Sequence, residues 1–282
     1  MSRQHDARQD DASAHPHPSV TVDVVVFGMF GSLDSFDGVD DSPVDNGHTH
    51  AEEGARSGRH VSEPGAFGHG AGAPVSDQPE VRVLLVRRRH CPYQGCWAIP
   101  GGFVRMDESL DDAARRELEE ETGLRDVYLE QLYTFGAPQR DPRTRVISVA
   151  YYALLPGDVE EPRTSDDGGE ARWFAVAHLP PNLAFDHATI LDTALRRLRA
   201  KADYAGIARE FLPPRFTLRR LRRIYETVLG RRLDRANFTR RILAEDDIEE
   251  TGEIDRSGAH RPAKLYRYRH RRARIYRTRD RE

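Results

Sequence analysis

Residues 101–124, GGFVRMDESLDDAARRELEEETGL, constrain this chain more than any other stretch. Ser109 followed by Asp112 has the spacing of a helix-capping pair and Gly123 is a helix stop, so Leu110 to Thr122 between them predicts a helix. On a wheel of ~100° per residue, Leu110, Ala113 and Ala114 define an apolar face. Glu117 and Glu121 fall within roughly 20° of its centre and Glu120 sits at its edge, whereas Arg115 and Glu119 point the other way. Carboxylates crowded on an inward face repel by up to ~4 kcal/mol per close pair at an effective dielectric of 20, so something positive must hold them. A divalent cation with oxygen ligands meets that need, with Arg116 as a fixed counter-charge. A solvated Glu-rich face, the common explanation of such a run, would not place the glutamates with the alanines.

The same stretch resembles, without a gap, the signature of the Nudix hydrolases. Gly102, Glu108, Arg116, Glu117, Leu118, Glu120, Glu121, Gly123 and Leu124 fill every fixed position of that pattern. The resemblance implies an α/β fold, an α/β/α sandwich around a mixed sheet. It also implies hydrolysis of a nucleoside diphosphate linked to another moiety, with Mg²⁺ or Mn²⁺. Glu117, Glu120 and Glu121 would then ligate the cation with help from the Gly101 carbonyl, Arg116 would orient the glutamates, and Glu108 would support the site. These five side chains are the expected catalytic set. The Gly101–Gly102 pair is expected to bring the backbone close to the metal and to turn sharply into the helix.

Around this centre the chain of 282 residues predicts two domains with polar margins, since 38% of residues are hydrophobic and 32% charged. Residues 1–18 read as a disordered tail. A Nudix domain is expected over 19–201, opening on a buried strand, Ser19 to Phe30. Residues 31–78, rich in Gly, Asp, Ser, Pro and His, read as a disordered insertion after that strand, because they offer too little apolar surface to order themselves. Further strands are expected at Val81–Arg87, Val127–Phe135, Val146–Leu155 and Glu170–Val176, and a helix at Ala188–Arg199, while Trp97 to Val104 leads into the signature helix. No apolar run approaches the length of a membrane span, and the polar N-terminus lacks a secretory core. With Cys91 and Cys96 alone there is no disulfide framework, so a cytoplasmic setting is expected. The Cys-x4-Cys spacing is a weak zinc signal beside structural cysteines.

Substrate choice lies outside the signature. Pro138 stands about where the ADP-ribose-hydrolysing branch carries a proline. Leu183–Leu191, LAFDHATIL, resembles a segment of ADP-ribose-binding Nudix domains linked to NAD metabolism. Phe185 is expected to stack on a base, and Asp186 and His187 to hydrogen-bond a ribose; the alternative is a helix cap, Asp186, beside a core aromatic. Arg140, Asp141 and Arg143 form a charged loop that either borders the phosphates or faces water.

The net charge of −3 hides an asymmetry, for Phe211 to Glu282 holds 21 Lys/Arg against 11 Asp/Glu, a surplus that suits a polyanion. After a linker at 202–215, Thr217 caps a helix striped with Leu218, Leu221, Tyr225, Val228 and Leu229 and closed by Gly230. Asp234 caps a second helix with Phe238 and Ile242 inward. Ile248–Glu253 and Ala263–Tyr268 then pair as a hairpin, completing the outline of a winged helix-turn-helix domain over 216–269, with a basic tail at 270–282. This spacing resembles the C-terminal domain of Nudix-related transcriptional regulators of NAD metabolism, dimeric repressors for which ADP-ribose is the usual signal. Contact with double-stranded DNA would fall to Arg235, Asn237, Arg240 and Arg241 on the second helix and to Arg261 and Lys264 on the wing.

The expected function is a metal-dependent Nudix hydrolase of ADP-ribose or a related nucleotide, fused to a DNA-binding winged helix and forming a homodimer. The alternative is a regulator that senses ADP-ribose without hydrolysing it. Regulators of that family often have an eroded signature; here every position is filled.

Overall fold

The computed structural model describes residues 17–33, 78–125, 127–156, 170–204, 206–245, 247–256 and 262–269. The tail and insertion expected at 1–18 and 31–78 lie outside these but for residues 17–18, 31–33 and 78, and the C-terminal tail expected at 270–282 lies wholly outside.

β1 (Ser19–Phe30) is the centre of a mixed sheet. It runs parallel to β6 (Val146–Leu154), Val22 facing Val149, and antiparallel to β2 (Glu80–Arg87) and β4 (Gly101–Phe103). β5 (Tyr128–Phe135) pairs with β6, while β3 (Trp97–Ala98) and β7 (Ala171–Ala175) pair with β2. Between Trp97 and Val104 the chain forms two short strands, one on each side of Pro100: β3 pairs with β2, and β4 crosses to β1.

The side-chain alternation of β1 sorts the two faces. Val22, Val24 and Val26 pack against α1 (Leu110–Thr122) through Ala113, Ala114 and Leu118. Val25, Phe27 and Met29 face the other way, toward α2 (His187–Tyr204), through Ile190, Leu191, Ala194 and Leu198. Helices on both faces of the sheet make the expected sandwich. The capping residues work as their spacing predicts, with Ser109 Oγ accepting from the Asp112 N–H and Gly123 closing α1 at φ 72°.

α2 runs five residues beyond the expected Arg199, and the stretch expected as a linker is largely packed. A 3-10 turn, Ile207–Phe211, buries Ile207, Ala208 and Phe211 in the same core as α2. α3 (Leu218–Leu229) and α4 (Arg235–Ala244) follow, capped by Thr217 and Asp234, with Gly230 ending α3 at φ 67°. β8 (Ile248–Asp255) and β9 (Ala263–Tyr268) form the wing. One apolar cluster joins the α2 face of the sheet to Leu221, Ile224, Tyr225, Val228, Phe238 and Ile242, so the two parts of the chain share a core. Arg199 Nε also donates to the Val228 carbonyl at 3.3 Å. Among the described residues no helix is long and apolar enough to cross a membrane.

Candidate functional site

α1 presents its glutamates to the strand beside it. Glu117 is only 8% exposed, whereas the Glu120 side chain keeps 51% of its surface. Arg116 lies at their centre. Its guanidinium grips Glu108 through two contacts, of 2.6 and 2.9 Å, and reaches Glu117 at 2.7 Å and Glu120 at 3.1 Å. It also donates to the Phe103 carbonyl. The paired hydrogen bonds from Arg116, with one from the Arg105 backbone, hold the Glu108 carboxyl down to about 2, and Glu108 in turn pushes the Arg116 pKa up. Glu108 is thus the anchor of Arg116.

Glu121 stands apart from this arginine. It accepts from the Gly101 N–H at 3.1 Å, and burial, followed by the charge of Glu117, pushes it up to about 8. Burial raises Glu117 as well, against the pull of Arg116. The expectation of a sharp Gly101–Gly102 turn is corrected: both glycines sit in β4. They are needed for close approach, because a Cβ on Gly101 would strike the Val22 carbonyl and one on Gly102 would strike the Glu117 carboxylate.

These residues fit a hard divalent cation. The donors are all oxygens, and two carboxylates raised chiefly by burial, Glu117 and Glu121, would regain their charges beside one. Arg116 holds Glu117 and Glu120, so among the described residues no three acidic or histidine side chains converge on one point.

A cleft opens beside β4. Gly101, Gly102 and Phe103 form one wall, and Asp23, Arg88, Arg140, Asp141, Arg143, Phe185 and His187 line the rest. The charged loop therefore borders the cleft: Arg140 and Asp141 are buried, at 8% and 6% exposure. Arg140 donates to both oxygens of Asp186, at 2.7 and 3.1 Å, and to Asp23 at 3.3 Å. Asp23 also accepts from the Ser148 hydroxyl and lies 3.7 Å from His187 Nε2. Asp23 went unremarked in the sequence although a signal was there. It is the lone charge in SVTVDVVVF, and a carboxylate inside a buried strand requires partners.

The ribose-binding expectations change accordingly. The Asp186 carboxylate neither lines the cleft nor caps α2; it is taken by Arg140. His187 lines the cleft but is 3% exposed, its Nδ1 accepts from the Ile99 N–H at 2.9 Å, and burial lowers its pKa. Pro138 is exposed and outside the lining. Phe185 does line the cleft, with the Arg88 guanidinium 4.7 Å from its ring centre and Tyr93 edge-on at 4.8 Å.

In the C-terminal part, Phe238 and Ile242 are buried while Arg235, Asn237 and Arg240 are exposed on the outer side of α4. Arg240 donates to Asn237 Oδ1 at 2.6 Å. Arg241 is exposed too, and its guanidinium lies 5.7 Å from the centre of the Tyr225 ring and 5.8 Å from that of Phe238. Glu226 fixes the turn between these helices by accepting from the Leu233 N–H at 2.9 Å and from Arg222 at 3.2 Å. On the wing, Lys264 pairs with Glu250 at 3.0 Å and Arg267 with Glu249 at 2.5 Å, so β8 neutralises the basic groups of β9. Arg261 lies outside the described residues.

Residues 67–198 match the NUDIX domain model, and residues 208–268 match that of the NrtR DNA-binding winged helix domain. The chain is 37% identical over 195 residues to the ADPR responsive transcriptional repressor NtrR of Acinetobacter baylyi, covering 68% of this chain and 77% of that one. It is 40% identical over 115 residues to the ADP-ribose pyrophosphatase of Methanocaldococcus jannaschii, which spans 41% of this chain and 66% of that enzyme. Among solved structures, Shewanella oneidensis NrtR in complex with a 27mer DNA aligns with a TM-score of 0.62 at 28% identity, over 88% of this chain and 93% of that one.

Proposed function

This chain belongs to the family of NUDIX-domain proteins that carry an NrtR-type DNA-binding winged helix, and from that premise we propose that it is an ADP-ribose-responsive transcriptional repressor that also hydrolyses its effector. The observation that carries this reading is the continuity of α2. The helix starts at the floor of the arginine-lined cleft, where Arg140 holds Asp186, and continues into the apolar core shared with α3 of the winged helix. A nucleotide in the cleft would therefore act on the element that supports the DNA-binding helices.

Hydrolysis is supported by the complete glutamate set. Water would attack one phosphorus of the diphosphate, the bridging oxygen would leave with the other, and AMP and a ribose phosphate would result. Glu117, Glu120 and Glu121 would hold Mg²⁺ or Mn²⁺, which supplies charge neutralisation of the phosphate oxygens and a more acidic water. Arg116, fixed by Glu108, sets the positions of Glu117 and Glu120. Gly102 keeps the wall of the cleft against the Glu117 carboxylate, and the arginines of the cleft offset the charge of the bound diphosphate.

Two measurements on the purified protein test this. With Mg²⁺ it should release AMP from ADP-ribose, and Glu120→Gln or Glu121→Gln should abolish the release. ADP-ribose should lower its affinity for a specific palindromic DNA site. No turnover over a panel of nucleoside diphosphate compounds removes the hydrolase; specific DNA binding indifferent to ADP-ribose removes the effector.

A further inference from the structure

A second cluster of ionisable groups meets α2, and its members lie outside the lining of the cleft. Its centre is Glu130 of β5. Lys201 Nζ reaches both of its carboxylate oxygens, at 2.5 and 2.6 Å. The Tyr152 hydroxyl donates to it at 2.9 Å, the Tyr128 hydroxyl donates as well, and Arg197 lies 3.9 Å away. Tyr152 is fully buried, and the Glu130 and Lys201 side chains keep 15% and 18% of their surface. Burial pushes the Glu130 carboxyl up, but Lys201 and the two hydroxyls outweigh it and hold it below its ordinary value.

Holding α2 on the sheet does not require this polarity. Ile190, Leu191, Ala194 and Leu198 already do so, by apolar burial. Such burial is non-directional and sets no position along the helix axis. A buried ion pair adds little stability over apolar side chains of similar volume, and its best-attested use is to fix a register. Here Tyr128 and Tyr152 aim the carboxylate from β5 and β6, and Lys201 is tethered to it. Arg140 tethers Asp186 in the same way at the cleft, about 22 Å back along the helix. Beside Lys201, Arg199 reaches the Val228 carbonyl of α3, and Ala202, Ile207 and Phe211 enter the core shared with the winged helix.

We propose that the Glu130–Lys201 cluster is the joint between the two functions of the chain. It fixes the register of α2 in which the winged helix is set for DNA, and a ligand at the Asp186 end must work against it. One rigid helix with a directional tether at each end passes a displacement from one tether to the other, which an apolar stripe alone does not. The joint rests on the effector reading above for the ligand that displaces α2.

The test compares the full chain with Lys201→Met, which keeps the stem and removes the charge, and with Lys201→Arg, which keeps the charge. Binding to the palindromic DNA site is titrated with and without ADP-ribose, in chelator so that the nucleotide is not consumed. In the parent, ADP-ribose should weaken DNA binding by about fivefold or more. In Lys201→Met that ratio should fall to within about twofold of one, and Lys201→Arg should restore most of it. Turnover of ADP-ribose with Mg²⁺ should stay within about twofold of the parent in both variants. Amide hydrogen exchange without ligand gives a second readout: Lys201→Met should speed exchange in α3 as well as in α2. The joint is overturned if Lys201→Met keeps the parental ratio, or if Lys201→Arg loses it equally. It is also overturned if ratio, turnover and unfolding midpoint all fall together, which marks a general brace. If ADP-ribose leaves DNA binding by the parent unchanged, the effector reading fails and exchange alone decides. Faster exchange in α3 then upholds the joint, and a change confined to β5 and α2 overturns it.

Discussion

Arg140 holds Asp186 by two hydrogen bonds, of 2.7 and 3.1 Å, and so ties the loop before β6 to the first turn of α2. The same guanidinium reaches Asp23 in the central strand, and its side chain is 4% exposed. Removing it leaves two acids facing each other without a cation. Arg140→Met is expected to destabilise the fold by about 3–5 kcal/mol, the cost of stranding buried charge. Asp186→Asn, which keeps a hydrogen-bond acceptor, should cost less. Denaturant unfolding of both variants ranks them, and equal losses would show that the pairing is not the source.

Gly102→Ala places a methyl group against the Glu117 carboxylate. The strand has no positive φ to lose there, so the damage should be local, about 1–3 kcal/mol in stability. Hydrolysis of ADP-ribose should fall by about two orders of magnitude, since displacement by an ångström can cost that much. A variant with parental turnover would mean that Glu117 can move aside freely.

Glu121 is held up to about 8 by burial and by Glu117. A carboxyl raised above its unfolded value of 4.5 contributes stability that is complete below pH 4.5 and is lost as the pH rises through about 8. In chelator, the parent protein should therefore lose stability between about pH 4.5 and pH 8. Glu121→Gln should flatten that slope, and added Mg²⁺ should oppose it in the parent alone. Thermal unfolding across this range gives the answer; a slope identical in the variant would assign the loss elsewhere.

The two neighbouring arginines of α4 should separate on DNA. Arg240 projects outward and Arg241 lies over Tyr225 and Phe238. Arg240→Ala is expected to weaken binding by about tenfold and to reduce the salt slope by about one. Arg241→Ala should act mainly on stability, by about 0.5–1 kcal/mol. Equal changes in the salt slope would place both on the phosphates.

Local signals were readable from the residues themselves. Ser109, Gly123, Thr217, Gly230 and Asp234 mark their helix ends because caps act within a turn or two. The inward turn of Glu117 and the packing of Ala113 and Ala114 follow from helical period alone. The Asp23–Arg140–Asp186 network was hidden because its members meet only after three distant segments fold together. The contact of Arg140 with the Asp186 carboxylate was hidden for the same reason, since the two residues lie far apart in the chain. The 207–212 stretch read as a linker because its apolar residues follow no helical or strand period, yet they fill the shared core.

The position of β1 has a consequence for how the molecule assembles. Ser19–Phe30 is made before its parallel partner β6, and the signature helix lies between them in the chain. The strand that unites the sheet thus waits with one flank unpaired until β6 is made, a non-local closure of the kind that folds slowly. Nor does the NUDIX domain match, which starts at residue 67, include this strand. A fragment cut at that boundary would carry every signature glutamate and lack the keel on which they are mounted.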